Sequence, residues 1–192
     1  MKNLTLVALL ASVFLTTAVN AASLSFSPVT ASTTVGSSVE VDLIISDFSA
    51  SEAPLGGFVL DVEYNQMVLG FSSVSYSDFL GVAGIDSDFF TIDEAGVVSV
   101  ENISFLDNAD LLASQPASFS LATFSFEALA AGFSNLLLSP IEFFTGDGAD
   151  ITGDLTLNDG VVEVKAATVP EPTAFLLMLS SFALLLGFRR SL

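Results

Sequence analysis

The chain has 192 residues, 52% hydrophobic and 14% charged, with 22 acidic side chains against four basic ones for a net charge of −18. It has no His, Cys or Trp, which excludes a disulfide framework, a thiolate nucleophile and ordinary zinc, haem or iron–sulfur ligation, and removes the commonest general base near neutral pH. So much negative charge also repels nucleic acid and anionic membrane surfaces.

Residues 1–21 read as a secretory signal. Lys2 supplies the positive start, Leu4 to Val19 an apolar core, and Val19-Asn20-Ala21 a small-residue cleavage site with the cut after Ala21. A short N-terminal anchor is the poorer reading, because Thr16, Thr17 and Asn20 interrupt the end of the apolar stretch.

Residues 22–168 form one domain, long enough to bury a core. It holds 21 of the 22 acids against the single cation Lys165, a net charge of −20. Within it, Ser37–Ser46 alternates, with Val39, Val41, Leu43 and Ile45 on one face and Glu40 and Asp42 on the other. Gly57–Asn65 alternates again, with Phe58, Leu60, Val62 and Tyr64 inward and Asp61, Glu63 and Asn65 outward. Phe71–Tyr76 and Phe89–Ile92 are shorter strands. Val97–Phe105 keeps the period except where Glu101-Asn102 interrupts it. Asp107–Ser114 is a helical turn capped by Asp107 or Asn108. Phe119 and Leu121 change parity relative to Phe124 and Phe126, which predicts a bulge near Ala122-Thr123 or a strand buried on both sides. Leu136-Leu137-Leu138 reads as a buried run. Asp159-Gly160 reads as a tight turn between Leu155–Leu157 and Val161–Val164. Turn signals every ~8–12 residues predict an all-β sandwich.

Val169-Pro170-Glu171-Pro172 breaks regular structure. Thr173 to Phe188 then runs without a charge, and Arg189-Arg190 follows. As a helix, 173–188 spans about 24 Å, short of the ~30 Å hydrocarbon core but within reach of a thin bilayer. The arginines put this end on the cytoplasmic side. A core helix of a soluble domain fits poorly, because the segment is apolar on every face.

Two candidate sites stand out in the body. Asp61, Glu63 and Asn65 share an outward strand face, which is either part of a binding surface or a solvated, solubilising one. Asp147, Asp150 and Asp154 fall within eight residues beside Gly148 and Gly153. Hard cations such as Ca²⁺ take oxygen sets of this kind, although the spacing does not fit an EF-hand loop and a plain acidic turn accounts for it as well. No phosphate loop, Gly-x-Ser-x-Gly elbow or Ser–His pair is present. Phe in period-two runs reads as core, and with no Trp and two Tyr, sugar-stacking platforms are scarce. These features point away from an enzyme, and from a glycosidase in particular. Asn102-Ile103-Ser104 matches a glycosylation triplet by chance.

The tail from 169 to 192 resembles the PEP-CTERM sorting signal of Gram-negative bacteria, through Pro170, Glu171 and Pro172, the apolar helix, and Arg189 and Arg190 in that order. The resemblance implies processing by an exosortase. It also implies a membrane-anchored precursor that is passed to the cell surface, outer envelope or extracellular matrix. A GPI-type signal is the rival reading of a hydrophobic tail.

The body resembles a cohesin-like domain over about residues 24–165. Four stretches carry the likeness: Val35-Gly36-Ser37-Ser38-Val39-Glu40-Val41; Leu55-Gly56-Gly57-Phe58 through Tyr64-Asn65 and Val68-Leu69; Phe124 to Ala128 with Gly132; and Gly160-Val161-Val162-Glu163-Val164. Asn65 departs from the family, which usually has Asp there, and no dockerin-type duplicated calcium loop is present. The resemblance implies a jelly-roll sandwich of about nine strands that binds a partner through one sheet face. The expectation is a non-enzymatic, structural or adhesive surface protein that binds another protein. Exopolysaccharide is the alternative partner.

Overall fold

The computed structural model describes residues 22–48, 53–167 and Met178. The signal segment with Ala21, and the tail residues Pro170, Glu171, Pro172, Arg189 and Arg190, lie outside the described residues. Among the described residues no helix is long and apolar enough to cross a membrane.

Among the described residues eleven strands pack as two sheets: β1 (Ser23–Ser27), β2 (Thr30–Thr34), β3 (Ser38–Ser46), β4 (Leu55–Glu63), β5 (Leu69–Tyr76), β6 (Ser87–Glu94), β7 (Val97–Ser104), β8 (Phe119–Ala128), β9 (Gly132–Thr145), β10 (Thr156–Asn158) and β11 (Gly160–Lys165). A short helix α1 (Asn108–Ser114) lies between β7 and β8. One sheet has the order β10-β1-β3-β8-β5 and the other β2-β11-β9-β4-β7-β6. The expected count of about nine is corrected to eleven for one physical reason. The first and last strands each change sheets midway, and each crossing divides one run of chain into two segments.

Asp159-Gly160 is one of these crossings, not the hairpin its dipeptide predicts. β10 pairs in parallel with β1, whereas β11 pairs with β9 and β2 in the opposite sheet. The Asp159 carboxylate accepts the Leu138 N–H at 2.9 Å, so the side chain ties the crossing to β9. Gly160 is fixed by packing: a Cβ there would come within 2.9 Å of the Phe26 ring.

The parity change in β8 is a bulge, as the alternation predicts. Ala122 pairs with Leu43 and Ser120 with Ile44, which leaves Leu121 as the extra residue. Both Leu121 and Ala122 are consequently buried. A second bulge lies in β9, where Pro140 pairs with Leu60 and Glu142 with Val59. Pro lacks an N–H, so it fits a strand best where the ladder is already interrupted.

Two readings of local pattern are corrected. Leu136 and Leu138 are buried, but Leu137 is 40% exposed, because β9 is an alternating strand and not a run buried on both faces. Asn102 does not break the period of β7. It occupies the inward position after Val98 and Val100 and is fully buried, which also removes Asn102-Ile103-Ser104 as an acceptor in the folded chain.

The core between the sheets is built around fully buried Phe26, Phe58, Phe124, Phe126 and Phe143. Phe58 and Phe143 of the six-stranded sheet stack at 5.6 Å across adjacent strands, and Phe26 and Phe124, both of the five-stranded sheet, meet edge-on at 6.3 Å. Such ring pairs add to the gain from area burial alone. Phe89, Phe90, Phe105 and Phe133 are exposed, so the reading of Phe as core holds for only part of the set.

Helix α1 starts at Asp107, whose carboxylate accepts the N–H groups of Ala109 and Asp110 at 3.0 Å. It ends on Gln115, a buried polar residue with every role filled. The Gln115 amide oxygen accepts the Leu55 N–H at 2.8 Å, and its nitrogen donates to the carbonyls of Leu55 at 2.8 Å and Phe79 at 3.1 Å. Gln115 thereby substitutes for a neighbouring strand at the start of β4. Gln115→Ala leaves two buried backbone groups of Leu55 without partners and is expected to cost ~1–3 kcal/mol. Urea unfolding of the variant against the parent measures it.

Candidate functional site

The alternation of β4 divides its side chains between the core and the outer face of the six-stranded sheet. Phe58, Leu60 and Val62 are fully buried, while Asp61 is half-buried and Glu63 exposed on the other side. The register continues this face across the sheet. Asp61 pairs with Ser139 of β9 and Ser99 of β7, and Ser99 pairs with Ile92 of β6. Glu63 pairs with Leu137 and Val97, and Val97 pairs with Glu94. Val59 pairs with Glu142 and Glu101, and Glu101 pairs with Phe90. The outer face is therefore a lattice of carboxylates interleaved with exposed apolar side chains, the latter including Phe90, Ile92 and Leu137. Ser99 donates to the Asp61 carboxylate at 2.5 Å, which holds that acid in place on the sheet.

Of the three residues expected on the face, Asp61 and Glu63 lie on it. Asn65 does not join them. It sits beyond β4, where its carboxamide oxygen accepts the Met67 N–H at 3.0 Å and its backbone N–H donates to Ser134 at 2.9 Å. The carboxamide is used to form the turn into β5. The apolar part of the face was not visible as a site in the sequence, because a single Leu or Ile in an alternating strand carries no sign of which sheet face it occupies.

The outer face of the five-stranded sheet has a different chemistry. Ser27 pairs with Asp42, Asp42 with Thr123 and Thr123 with Ser75; in the next row Glu40 pairs with Ser125 and Ser125 with Ser73. Small hydroxyl side chains dominate, and Thr123 donates to Asp42 at 2.5 Å.

The acidic loop follows β9. The Asp147 carboxylate accepts from the Thr145 hydroxyl, and that of Asp150 from the Thr152 N–H at 2.9 Å. These hydrogen bonds hold both carboxyls below their usual range. Asp154 ends a short 3-10 turn (Thr152–Asp154). Among the described residues no group of three or more carboxylates converges as a metal site.

The two tyrosines of the chain both reach β6. Tyr64, just past β4, donates to Asp93 at 2.9 Å. Tyr76 of β5 donates to the Phe90 carbonyl at 2.7 Å and lies 2.7 Å from the Thr91 hydroxyl. Burial is the main cause that raises both phenols above 10.0; for Tyr64 the hydrogen bond to Asp93 adds to it.

No family model and no curated protein matches the sequence. Solved structures do match. The sixth cohesin of scaffoldin B from Acetivibrio cellulolyticus, in complex with a Cel5 dockerin, superposes with a TM-score of 0.63 at 16% identity, over 76% of this chain and 100% of that one. The OlpA cohesin of Clostridium thermocellum, in complex with the dockerin Doc918, gives 0.63 at 12% identity over 76% and 100%. CaCohA2 of Clostridium acetobutylicum gives 0.58 at 23% identity over 76% and 92%. Agreement of this kind defines the fold. The domain is a cohesin-like β-sandwich, as the four quoted stretches of sequence imply.

A phenol whose folded-state pKa is raised stabilises the fold below its unfolded value, and that contribution is lost as pH rises through the folded value. The urea midpoint is therefore expected to fall above about pH 10. Tyr76→Phe is expected to lose ~1 kcal/mol at neutral pH and to show a smaller alkaline fall than the parent. Urea titrations at neutral and alkaline pH measure both.

Proposed function

We propose that the chain is an exported, non-enzymatic binding module that holds another protein through the outer face of its six-stranded sheet. The observation that carries this is the chemistry of that face. Exposed apolar side chains alternate with Asp61, Glu63, Glu94, Glu101 and Glu142 on a rigid support, whereas the opposite face offers mainly hydroxyls. Apolar contacts supply affinity, and the acids select a basic partner and speed its approach. Cohesins of the same fold in complex with dockerins support a protein partner. They also support a role without catalysis.

The tail supports export. In this reading Pro170, Glu171 and Pro172, with Arg189 and Arg190, direct an exosortase to a membrane-held precursor, and the sandwich is delivered to the cell surface or extracellular matrix. A second reading, recognition of exopolysaccharide, draws on the hydroxyl rows of Ser73, Ser75, Thr123 and Ser125, a side-chain chemistry that suits hydrogen bonding to sugar hydroxyls. A glycan array separates the two.

Charge reversal tests the face. Asp61→Lys with Glu63→Lys is expected to weaken capture of the surface partner at least about tenfold, while Glu40→Lys with Glu127→Lys on the other sheet leaves it unchanged. Equal loss in both variants, read by quantitative pull-down from the matrix fraction of the host, removes the reading. Replacing Pro170 and Pro172 with Ala is expected to leave uncut precursor in the membrane fraction, measured by immunoblot.

A further inference from the structure

Among the described residues β6 is an edge strand, with β7 on one side and no strand on the other. Two hydrogen bonds show which of its backbone groups face outward. The Ser87 carbonyl accepts from the Gly84 N–H at 2.8 Å, and the Phe89 N–H donates to the Asp88 carboxylate at 3.0 Å. Neither group is engaged with β7. Because antiparallel pairs alternate, the backbone groups of Ser87, Phe89, Thr91 and Asp93 all point to the free edge. The chain itself covers the first half of that edge, through Gly84 and the Asp88 carboxylate. The second half, Thr91 to Asp93, has no such cover among the hydrogen bonds of the described residues. Phe90 and Ile92 flank it, 55% and 38% exposed. An uncovered edge beside exposed aromatic and β-branched side chains is a template for another strand.

We propose that the Thr91–Asp93 edge of β6 takes an added strand from a basic, extended segment of another protein. Charge complementarity identifies the occupant. Asp88, Asp93 and Glu94 lie on the strand and Glu101 pairs with Phe90. The only cation of the body, Lys165, ends β11 on the far side of β9 and β4. A second copy is disfavoured by the same charges. Antiparallel pairing about Thr91 sets Asp88 against Glu94, so like charges oppose. On the outer face, Lys or Arg of the added strand would meet Asp88, Glu94 and Glu101 beside Phe90 and Ile92, and the apolar residues between them would meet Phe89 on the other face. The site lies on the strand's edge, so it goes beyond the sheet-face reading and is tested separately from it.

The test uses the full-length chain in mild detergent and a capped octapeptide of alternating Lys and Val. Hydrogen exchange is followed by mass spectrometry over residues 87–94. The peptide is expected to slow exchange there by about tenfold at saturation. A Glu/Val octapeptide, and a Lys/Val octapeptide N-methylated along one edge, are expected to give no protection. Thr91→Pro removes an outward N–H while sparing the ladder to β7, and is expected to abolish binding with the fold retained by circular dichroism. If that variant unfolds, the N-methylated peptide alone decides. Equal protection by the N-methylated peptide, or no protection by the parent peptide, overturns the proposal. Protection that rises with protein concentration in the absence of peptide overturns it in favour of a second copy.

Discussion

The period-two alternation of β4 is the constraint on which both the interior and the outer face of the six-stranded sheet depend. One register places Phe58, Leu60 and Val62 against the opposite sheet and Asp61 and Glu63 on the outside. A slip of one residue would bury two carboxylates and expose three core side chains. No other register competes, so the outer face is fixed as firmly as the core. Gly57 adds to this precision: a Cβ there would come within 2.6 Å of the Phe144 ring and 2.9 Å of the Asn102 carbonyl. The glycine lets Phe144 lie across β4, the aromatic cover that sheet glycines commonly receive.

A body with 21 acids and one lysine must place nearly all of them outside. Most stand on the outer faces and in the loops, and short hydrogen bonds from Ser99 and Thr123 hold the half-buried Asp61 and Asp42. Such a surface repels copies of itself and remains soluble despite its exposed phenylalanines. The same charge restricts which surfaces can approach it. Apolar side chains alone would attract many proteins, but apolar side chains set among carboxylates reject acidic ones.

Much of this was legible in the sequence. Alternation located β3, β4 and β7, the parity change located the β8 bulge, and Asp107 marked the start of the helix. The misreadings share a cause: local signals carry no information about sheet membership. Asp159-Gly160 has hairpin chemistry, yet it links strands in different sheets because the partner of β10 is β1, more than a hundred residues earlier. Asn102 is polar and buried, and only the register with Phe58 and Phe89 places it inward. Gln115 gave no sign of its role, since its partners Leu55 and Phe79 lie far away in sequence. The Asp61–Glu63 pair was legible because spacing of two is itself the strand period.

The sandwich is closed differently along its two sides. At β1/β2 and β10/β11 the chain itself passes from one sheet to the other, so that side is joined covalently. The opposite side lies between β5 and β6, and the tyrosine hydroxyls hold it: Tyr76 reaches Phe90 and Thr91, and Tyr64 reaches Asp93. Hydrogen bonds of this kind open at far lower cost than a covalent crossing, so local opening is expected to begin at β6. It is also the side with Phe89, Phe90 and Ile92 exposed. A strand that belongs to the sheet on one edge only has side chains with a single neighbouring strand to pack against, so more of their surface stays exposed. The asymmetric closure of the fold therefore leaves an apolar edge strand on the side that hydrogen bonds alone hold shut.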